Sequence, residues 1–132
     1  MTDAELRDAV DSYFANHLDA AYWSSLTASQ KSGAVAMGKG DVFALLPASK
    51  TLDGVTDASD PIVCGIAEQA VYLVRNYEEI ASGKVVTSEA VSGLSQGYTL
   101  INAGSYGMSA RAMAFVEQAR KSIGGTVPLL RG

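Results

Sequence analysis

The segment Gly33–Gly40 (GAVAMGKG) is the part of this chain that most resembles a chemical motif, the phosphate-binding P-loop. A P-loop follows a buried strand and carries a Ser or Thr directly after its lysine, where the hydroxyl holds magnesium. Here Gly40 stands in the place of that hydroxyl, and a capping box of Thr27 and Gln30 precedes the segment instead of a strand. We therefore predict that the segment is helical and that its glycines allow close packing between helices.

Three acidic residues of one loop, Asp53, Asp57 and Asp60, are the candidates for a calcium site. Their spacing lacks the alternate-residue ligands and the terminal bidentate Glu of an EF-hand loop. Turn formation and helix capping account for all three side chains. The sequence therefore predicts no metal site and no cofactor.

His17 and Cys64 are the only histidine and the only cysteine of the chain. General acid–base catalysis by His17 would need a positioned partner, and the sequence names none. Cys64 falls near the start of the most apolar helix, where it is predicted to be a small buried side chain rather than a nucleophile. Because no residues can be given catalytic roles, we predict that the protein is not an enzyme.

The composition restricts the class of protein further. The chain has 132 residues, of which 48% are hydrophobic and 18% charged, as expected for one soluble globular domain. Its net charge of −4 and its scattered Lys and Arg argue against general binding of nucleic-acid backbones. A single cysteine excludes an internal disulfide, and the sequence shows neither a signal peptide nor a run of apolar residues long enough to span a membrane. We predict a cytoplasmic protein when it is made.

Two predicted helices account for the N-terminal third of the chain. The first begins at a capping box of Thr2 and Glu5 and ends near residues 17–19. A turn with Tyr22 and Trp23 follows, and these aromatic side chains are predicted to fold back onto the core. The second helix begins at Thr27 and is closed by Pro47. The predicted apolar faces of these two helices consist of Leu6, Val10, Tyr13, Phe14 and Leu18 in the first, and Val35, Val42, Leu45 and Leu46 in the second.

Two more helices are predicted in the rest of the chain. The central core helix starts at Asp60-Pro61, runs to about Ser82 and is capped by Gly83. The last helix starts at Ser109. Their predicted core faces are Val63, Ile66, Ala67, Ala70, Leu73, Val74, Tyr77 and Ile80 in the central helix, and Ala112, Phe115, Val116, Ala119 and Ile123 in the last.

Two segments do not fit the helical pattern. Val85–Ile101 (VVTSEAVSGLSQGYTLI) alternates roughly and is predicted to be a β-ribbon, which has too little apolar surface to fold alone and must lie on the helices or pair with another chain. The apolar tail after Gly125 (TVPLLRG) either lies in a groove of its own domain or pairs with a partner. The predicted fold is mainly α: a bundle of about four helices with the ribbon before the last helix and an extended C-terminal tail. This single domain divides into a helical core (1–84), ribbon and loop (85–108), last helix (109–123) and tail (124–132).

Short motifs spread over nearly the whole chain share their order with one family of viral proteins. They are Tyr13-Phe14, Ala21-Tyr22-Trp23, Thr27–Lys31, Ile66–Ala70, Leu73–Asn76, Val86–Val91 and Ser109–Ala112. In these motifs the chain resembles the head–tail connector (adaptor) proteins of long-tailed double-stranded DNA phages, a family sometimes labelled DnaT-like. The loop Ala48–Asp60 differs, because the family usually carries an aromatic-Pro-Arg turn there.

The resemblance implies a structural virion protein that forms a ring of about twelve copies between the capsid portal and the tail. Such a ring would extend the DNA channel, let DNA pass without sequence-specific binding, and dock a neck stopper or tail-completion protein, with no contact to a membrane. Its location would be the host cytoplasm during assembly and then the neck of the virion. The implied portal-binding candidates are Ser109, Arg111, Phe115, Val127, Leu129, Leu130 and Arg131. The implied candidates for a subunit or tail interface are Val86, Ser88, Val91, Leu94, Tyr98 and Leu100.

Two other functions are compatible with the sequence. A DNA-binding accessory protein would bind single strands in a salt-dependent way and use Trp23, Tyr98 or Tyr106 as stacking platforms. A small cytoplasmic regulator would be a helical dimer that buries its ribbon in a two-fold interface.

Overall fold

Five helices and one short 3₁₀ turn make up the described part of the chain. The computed structural model describes residues 1–82 and 107–123, without the side chains of residues 78–82. The helices are α1 (Asp3–Phe14), α2 (Ala20–Ser25), α3 (Ala28–Ala44), α4 (Pro61–Ser82) and α5 (Ala110–Ile123), with the 3₁₀ turn at Leu52–Gly54. The mainly helical fold class is confirmed. The predicted ribbon, the cap at Gly83 and the tail lie outside the described residues.

Both predicted capping boxes are present. Thr2 Oγ1 accepts a hydrogen bond from Glu5 N at 3.1 Å, and Glu5 Oε1 accepts one from Thr2 N at 2.7 Å. Thr27 and Gln30 repeat this arrangement with distances of 3.1 and 2.9 Å. Because each box satisfies two backbone groups at a helix start, the N-termini of α1 and α3 are fixed by local sequence.

The starts of α4 and α5 are confirmed as well. Asp60 Oδ1 accepts a hydrogen bond from Ile62 N at 2.8 Å, next to Pro61 at the first position of α4. Ser109 Oγ accepts one from Ala112 N at 2.9 Å at the start of α5. These caps are again local, because each joins residues two or three positions apart.

Helix α4 is the centre of the fold, and α1, α3 and α5 pack against it. Gly38 of α3 lies beside Ile66 and Ala70, whereas Val42 of α3 lies beside Gly65, so α3 runs antiparallel to α4. Helix α5 is also antiparallel, because its start contacts Gln69 and its later residues contact Gly65. The core residues contributed by α4 are Ile62, Val63, Cys64, Ile66, Ala67, Ala70, Val71 and Leu73.

Three residues predicted on apolar helix faces are exposed instead. The exposed fraction is 102% for Leu18, 53% for Tyr77 and 36% for Ile123. Leu18 is exposed because α1 ends at Phe14 and the chain turns before reaching it. Tyr77 follows a kink at Asn76, and Ile123 is the last residue of α5, so both lie beyond the region where helices cover each other.

Two further regions differ from the prediction: the segment with Tyr22 and Trp23, and the loop 48–60. The predicted turn at Tyr22 and Trp23 is the short helix α2, although Trp23 folds onto the core as predicted and is only 2% exposed. The loop 48–60, which the sequence marks only by its acidic residues, contributes Leu52 and Val55 to the core. A single apolar residue between turn residues carries no periodicity, so sequence patterns do not detect such contributions.

The helical segment that resembles a P-loop contains one glycine at a tight helix crossing. A Cβ atom on Gly38 would lie 3.0 Å from Ile66 O and 3.2 Å from Ala70 N, so close packing is confirmed there. The prediction is wrong for Gly33 and Gly40, where an added Cβ would meet no atom within 4 Å. An unpredicted second crossing lies at Gly65, where a Cβ would be 3.3 Å from Phe115 Cβ.

Because Gly38 lies at a close crossing and Gly33 does not, replacing each by alanine should have opposite effects on the free energy of unfolding. Gly38→Ala should lower the free energy of unfolding by about 1–3 kcal/mol, because backbone atoms must move to admit the methyl group. Gly33→Ala, the matched control on the same helix, should raise it by about 0.5–1 kcal/mol through helix propensity. Urea unfolding of the two variants and the wild type measures both changes. Equal gains in stability would contradict the close crossing at Gly38.

Candidate functional site: a buried carboxylate and amide on the central helix

Two neighbouring polar residues of α4 are buried in the core. Glu68 is 4% exposed and Gln69 is fully buried. Burying a carboxylate or an amide is costly unless hydrogen bonds replace the lost water. The partners of these two side chains therefore define what this part of the molecule can do.

The carboxylate of Glu68 joins three elements of the fold. Its Oε2 accepts a hydrogen bond from the hydroxyl of Tyr13 on α1 at 2.5 Å and lies 2.7 Å from Nε2 of His17, which follows α1. The same oxygen lies 3.1 Å from Nε of Arg111 on α5. We call these four residues the Glu68 cluster. Because its members come from both ends of the chain, the cluster holds α1 and α5 on the central helix.

The hydrogen bonds of His17 identify its tautomer. Asp19 N donates to Nδ1 at 2.9 Å, so the proton lies on Nε2 and is donated to Glu68. The imidazole also packs edge-on against Phe14, with ring centroids 4.9 Å apart. Both ring nitrogens are therefore engaged, and the partner that sequence reasoning could not name for His17 is Glu68.

Electrostatics favour the protonated form of the tyrosine in the cluster. Burial, followed by its hydrogen bond to Glu68, raises the pKa of Tyr13 to about 12. The Tyr13 hydroxyl and the Glu68 carboxylate in turn raise the pKa of Arg111. Tyr13 and Arg111 thus remain hydrogen-bond donors to the carboxylate, which suits a structural tie between helices.

The amide of Gln69 has a partner for each of its polar atoms. Its Nε2 donates to Asp41 Oδ2 on α3 at 2.8 Å and to the carbonyl oxygen of Gly107 at 2.7 Å. Its Oε1 accepts a hydrogen bond from the backbone N of Ser109 at 2.9 Å. Burial raises the pKa of Asp41, and the bond from Gln69 opposes this shift. Gln69 therefore fixes both α3 and the start of α5 to α4.

The aromatic residue proposed as a base-stacking platform is covered. Trp23 stacks on Phe14 with ring centroids 4.8 Å apart, and its Nε1 donates to Asp11 Oδ1 at 2.8 Å. With 2% of its surface exposed, Trp23 has no free face for a nucleobase. The other two suggested platforms, Tyr98 and Tyr106, lie outside the described residues.

Three of the implied portal-binding candidates lie on or beside α5, and each has a distinct environment. Ser109 caps the helix with its hydroxyl, and Phe115 packs edge-on against Tyr13 with ring centroids 6.3 Å apart. The side chain of Arg111 contacts Glu68 and is 66% exposed to solvent. The remaining candidates lie outside the described residues: Val127, Leu129, Leu130 and Arg131 for the portal, and Val86, Ser88, Val91, Leu94, Tyr98 and Leu100 for the subunit or tail interface.

The acidic loop residues considered as a calcium site and the single cysteine have contacts that serve the fold. Asp57 Oδ1 accepts a hydrogen bond from Ser59 N at 3.0 Å, and Asp60 caps α4. Cys64 is buried, and burial raises the pKa of its thiol. Within residues 1–82 and 107–123, no group of three or more His, Cys, Asp or Glu side chains is placed to hold a metal ion.

One sequence signal could have revealed the buried pair. Residues 61–71 (PIVCGIAEQAV) are apolar on every side of the helix except at Glu68 and Gln69. A helix that is hydrophobic all round is buried, so its polar residues must find partners inside the protein. The identity of those partners does not follow from the pattern, because they come from residues up to 55 positions away.

Comparisons with known proteins do not identify a family. The chain matches no protein-family model, no curated protein and no solved structure. In the described residues, no helix combines the length and the apolar character needed to cross a membrane.

Proposed function

We propose that this protein is a structural subunit of a phage neck, forming a ring between the capsid portal and the tail. The ring extends the DNA channel and presents a platform for a neck stopper or tail-completion protein. Residues 109–123 and the tail that follows form the portal-facing part, and the segment 85–101 contacts neighbouring subunits or the tail. The proposal rests on the resemblance in sequence motifs and on one observation of chain geometry.

That observation is the length of the connection between α4 and α5. Residues 83–106 leave α4 at Ser82 and rejoin the fold at Gly107, whose carbonyl accepts a hydrogen bond from Gln69. From Gln69 to Ser82 the helix extends about 20 Å. The connecting residues could extend to about 80 Å, roughly four times that separation. A connection of this excess length supports a role in contacting another subunit.

The polar ties on α4 support the same role. Gln69 fixes the start of α5 to the central helix through the backbone of Gly107 and Ser109, so α5 can hold the base of a tail that binds a partner in a fixed position. The net charge of −4 suits a channel wall, because a basic surface would retain the phosphates of passing DNA.

The first test is quantitative mass spectrometry of purified particles, with the portal protein as the internal standard. We expect a copy number equal to that of the portal. Absence of the protein from intact, tailed particles would refute a structural role in the virion.

Removal of the tail tests the portal contact directly. Deletion of residues 126–132 should leave the unfolding transition of the protein unchanged, because the helices of residues 1–82 and 107–123 pack into a core with one another. The same deletion should abolish incorporation into particles, because the tail is the proposed portal-binding segment. The measurement compares particle-bound protein for wild type and truncation at equal expression. Incorporation of the truncated protein at the wild-type level would exclude the tail from portal binding.

A further inference from the structure

His17 lies in the corner between α1 and α2, and its two ring nitrogens have opposite roles. Nδ1 accepts a hydrogen bond from Asp19 N at 2.9 Å, and Nε2 donates one to Glu68 Oε2 at 2.7 Å. The side chain of His17 is 15% exposed, so the ring can take up a proton from water. Proton uptake turns Nδ1 from an acceptor into a donor, which cannot bond to the Asp19 N–H. The bond that holds residue 19 to the ring therefore exists only while the ring is neutral.

A second acceptor lies close to Nδ1 of His17. Asp19 Oδ2 is 3.9 Å away, just beyond hydrogen-bond distance. The other oxygen of this carboxylate, Oδ1, accepts a hydrogen bond from Arg75 of α4 at 2.6 Å. A protonated ring thus attracts the carboxylate of the same residue whose backbone N–H it releases. Movement of Asp19 toward the ring changes the backbone at residue 19 and draws the side chain away from Arg75.

Residue 19 is the junction between this corner and α2. The carbonyl oxygen of Asp19 accepts a hydrogen bond from Trp23 N at 2.8 Å, which closes the first turn of α2, and the side chain of Asp19 does not cap the helix. Helix α2 has only six residues. Its side-chain anchors are Trp23, which stacks on Phe14, and Tyr22, whose ring centroid lies 3.9 Å from the Arg75 guanidinium. Because so short a helix is not stable without its neighbours, a change at its junction should loosen it.

We propose that His17 is a pH-sensitive switch: protonation of its ring breaks the bond to Asp19 N, turns the Asp19 carboxylate toward Nδ1 and loosens α2. Histidine is the side chain that ordinarily changes its charge between about pH 5 and 8, and His17 is the only histidine of the chain. The inference goes beyond the proposed function and does not depend on it.

The groups that face the ring act on its charge in opposite directions. The carboxylates of Glu68 on α4 and of Asp19 stabilise a positive ring. The Arg111 guanidinium of α5 contacts the same oxygen of Glu68 and opposes this charge, and Arg75 of α4 competes with the ring for Asp19. Tyr13 of α1 stays neutral in this range, because its pKa is about 12. Since Nε2 donates to Glu68 in both states of the ring, the change is confined to the side that faces the junction with α2.

Nitrogen-15 NMR of the full-length protein tests the exchange at Nδ1 over a titration from about pH 8 to 5. We expect Nδ1 to be the unprotonated nitrogen at the start and to gain its proton with the same midpoint at which the Asp19 amide signal shifts. Protection of the Asp19 amide from hydrogen exchange should fall at least about tenfold on protonation of the ring. The internal control is the amide of Gln30, which bonds to the hydroxyl of Thr27, an acceptor that does not titrate.

Trp23 is the only tryptophan of the chain and reports whether the change reaches α2. Quenching of its fluorescence by acrylamide should increase at least about twofold as the ring gains its proton, because a loosened α2 admits the quencher. His17→Gln carries a neutral polar side chain that does not titrate, so the pH dependence of the Asp19 amide and of Trp23 should both disappear. The wild-type midpoints decide the proposal even if this variant does not fold.

Four results would overturn the proposal. One is an unprotonated Nε2 in the neutral ring, since the acceptor would then face Glu68. The second is an Asp19 amide whose signal and protection stay as constant as those of Gln30 while the ring gains its proton. The third is unchanged quenching of Trp23 across the same midpoint. The fourth is a ring that stays neutral down to the pH at which the fold is lost.

Discussion

Replacement of Glu68 by alanine is expected to lower the free energy of unfolding by about 3 kcal/mol, because it removes the common acceptor of a buried cluster. The Tyr13 hydroxyl and the His17 Nε2–H would both lose their partner in a region that water reaches poorly. A cavity of side-chain size adds to the loss. Chemical denaturation at neutral pH measures the change, and the loss of the bond should also lower the pKa of Tyr13 from about 12.

Two variants distinguish the contribution of the buried acceptor from that of the ion pair. Arg111→Ala should cost less than about 1 kcal/mol, because the arginine side chain is 66% exposed and solvent screens its charge. Glu68→Gln keeps the shape and one acceptor oxygen, so its effect should lie between those of Arg111→Ala and Glu68→Ala. If Arg111→Ala were as costly as Glu68→Ala, the ion pair and not the hydrogen-bond network would hold the cluster together.

The elements that sequence reasoning predicted correctly depend on neighbouring residues. The boxes at Thr2 and Thr27 are each complete within four residues, and the bounds of α4 follow from Asp60-Pro61 and a long apolar face. Hydrogen bonds of this kind join residues two or three positions apart at a helix start, so they can be predicted without knowledge of the tertiary fold.

The prediction failed where a helix face continued beyond the surface available to cover it. Leu18 and Tyr77 extend the apolar periodicity of α1 and α4, but α1 stops at Phe14 and a kink at Asn76 precedes Tyr77. Periodicity indicates which residues share one face of a continuous helix. It does not indicate where that helix ends or how far a neighbouring helix covers its face.

The candidate site escaped prediction for a different reason. His17 and Glu68 are 51 positions apart, and their pairing depends on how α1 crosses α4. The glycines of α3 illustrate the same dependence, because only Gly38 lies at the crossing although Gly33 and Gly40 have the same intrinsic character. Sequence patterns identified the four longer helices but not α2. The identity of the contacting residues depends on helix crossings that one sequence does not specify.

Replacement of Gln69 by leucine is expected to cost about 2–4 kcal/mol, because three polar groups lose a buried partner at once. The backbone carbonyl of Gly107 and the backbone N–H of Ser109 would be left without their bonds to α4, and Asp41 would lose its donor. Urea unfolding measures the global change. Hydrogen exchange should show the largest loss of protection in α5, since both backbone contacts lie at its start.

Ser109→Ala is the matched control for this prediction. It removes the helix cap at Ala112 N but leaves the backbone bond to Gln69 in place, so it should cost only about 1 kcal/mol. A packing defect alone would not alter the titration of Asp41, whereas loss of the Gln69 bond should raise the pKa of Asp41 further. If Gln69→Leu left that pKa and the protection of α5 unchanged, the buried amide would not be what fixes α5 to the central helix, and the rigid base that the proposed portal contact requires would have to come from apolar packing at Gly65.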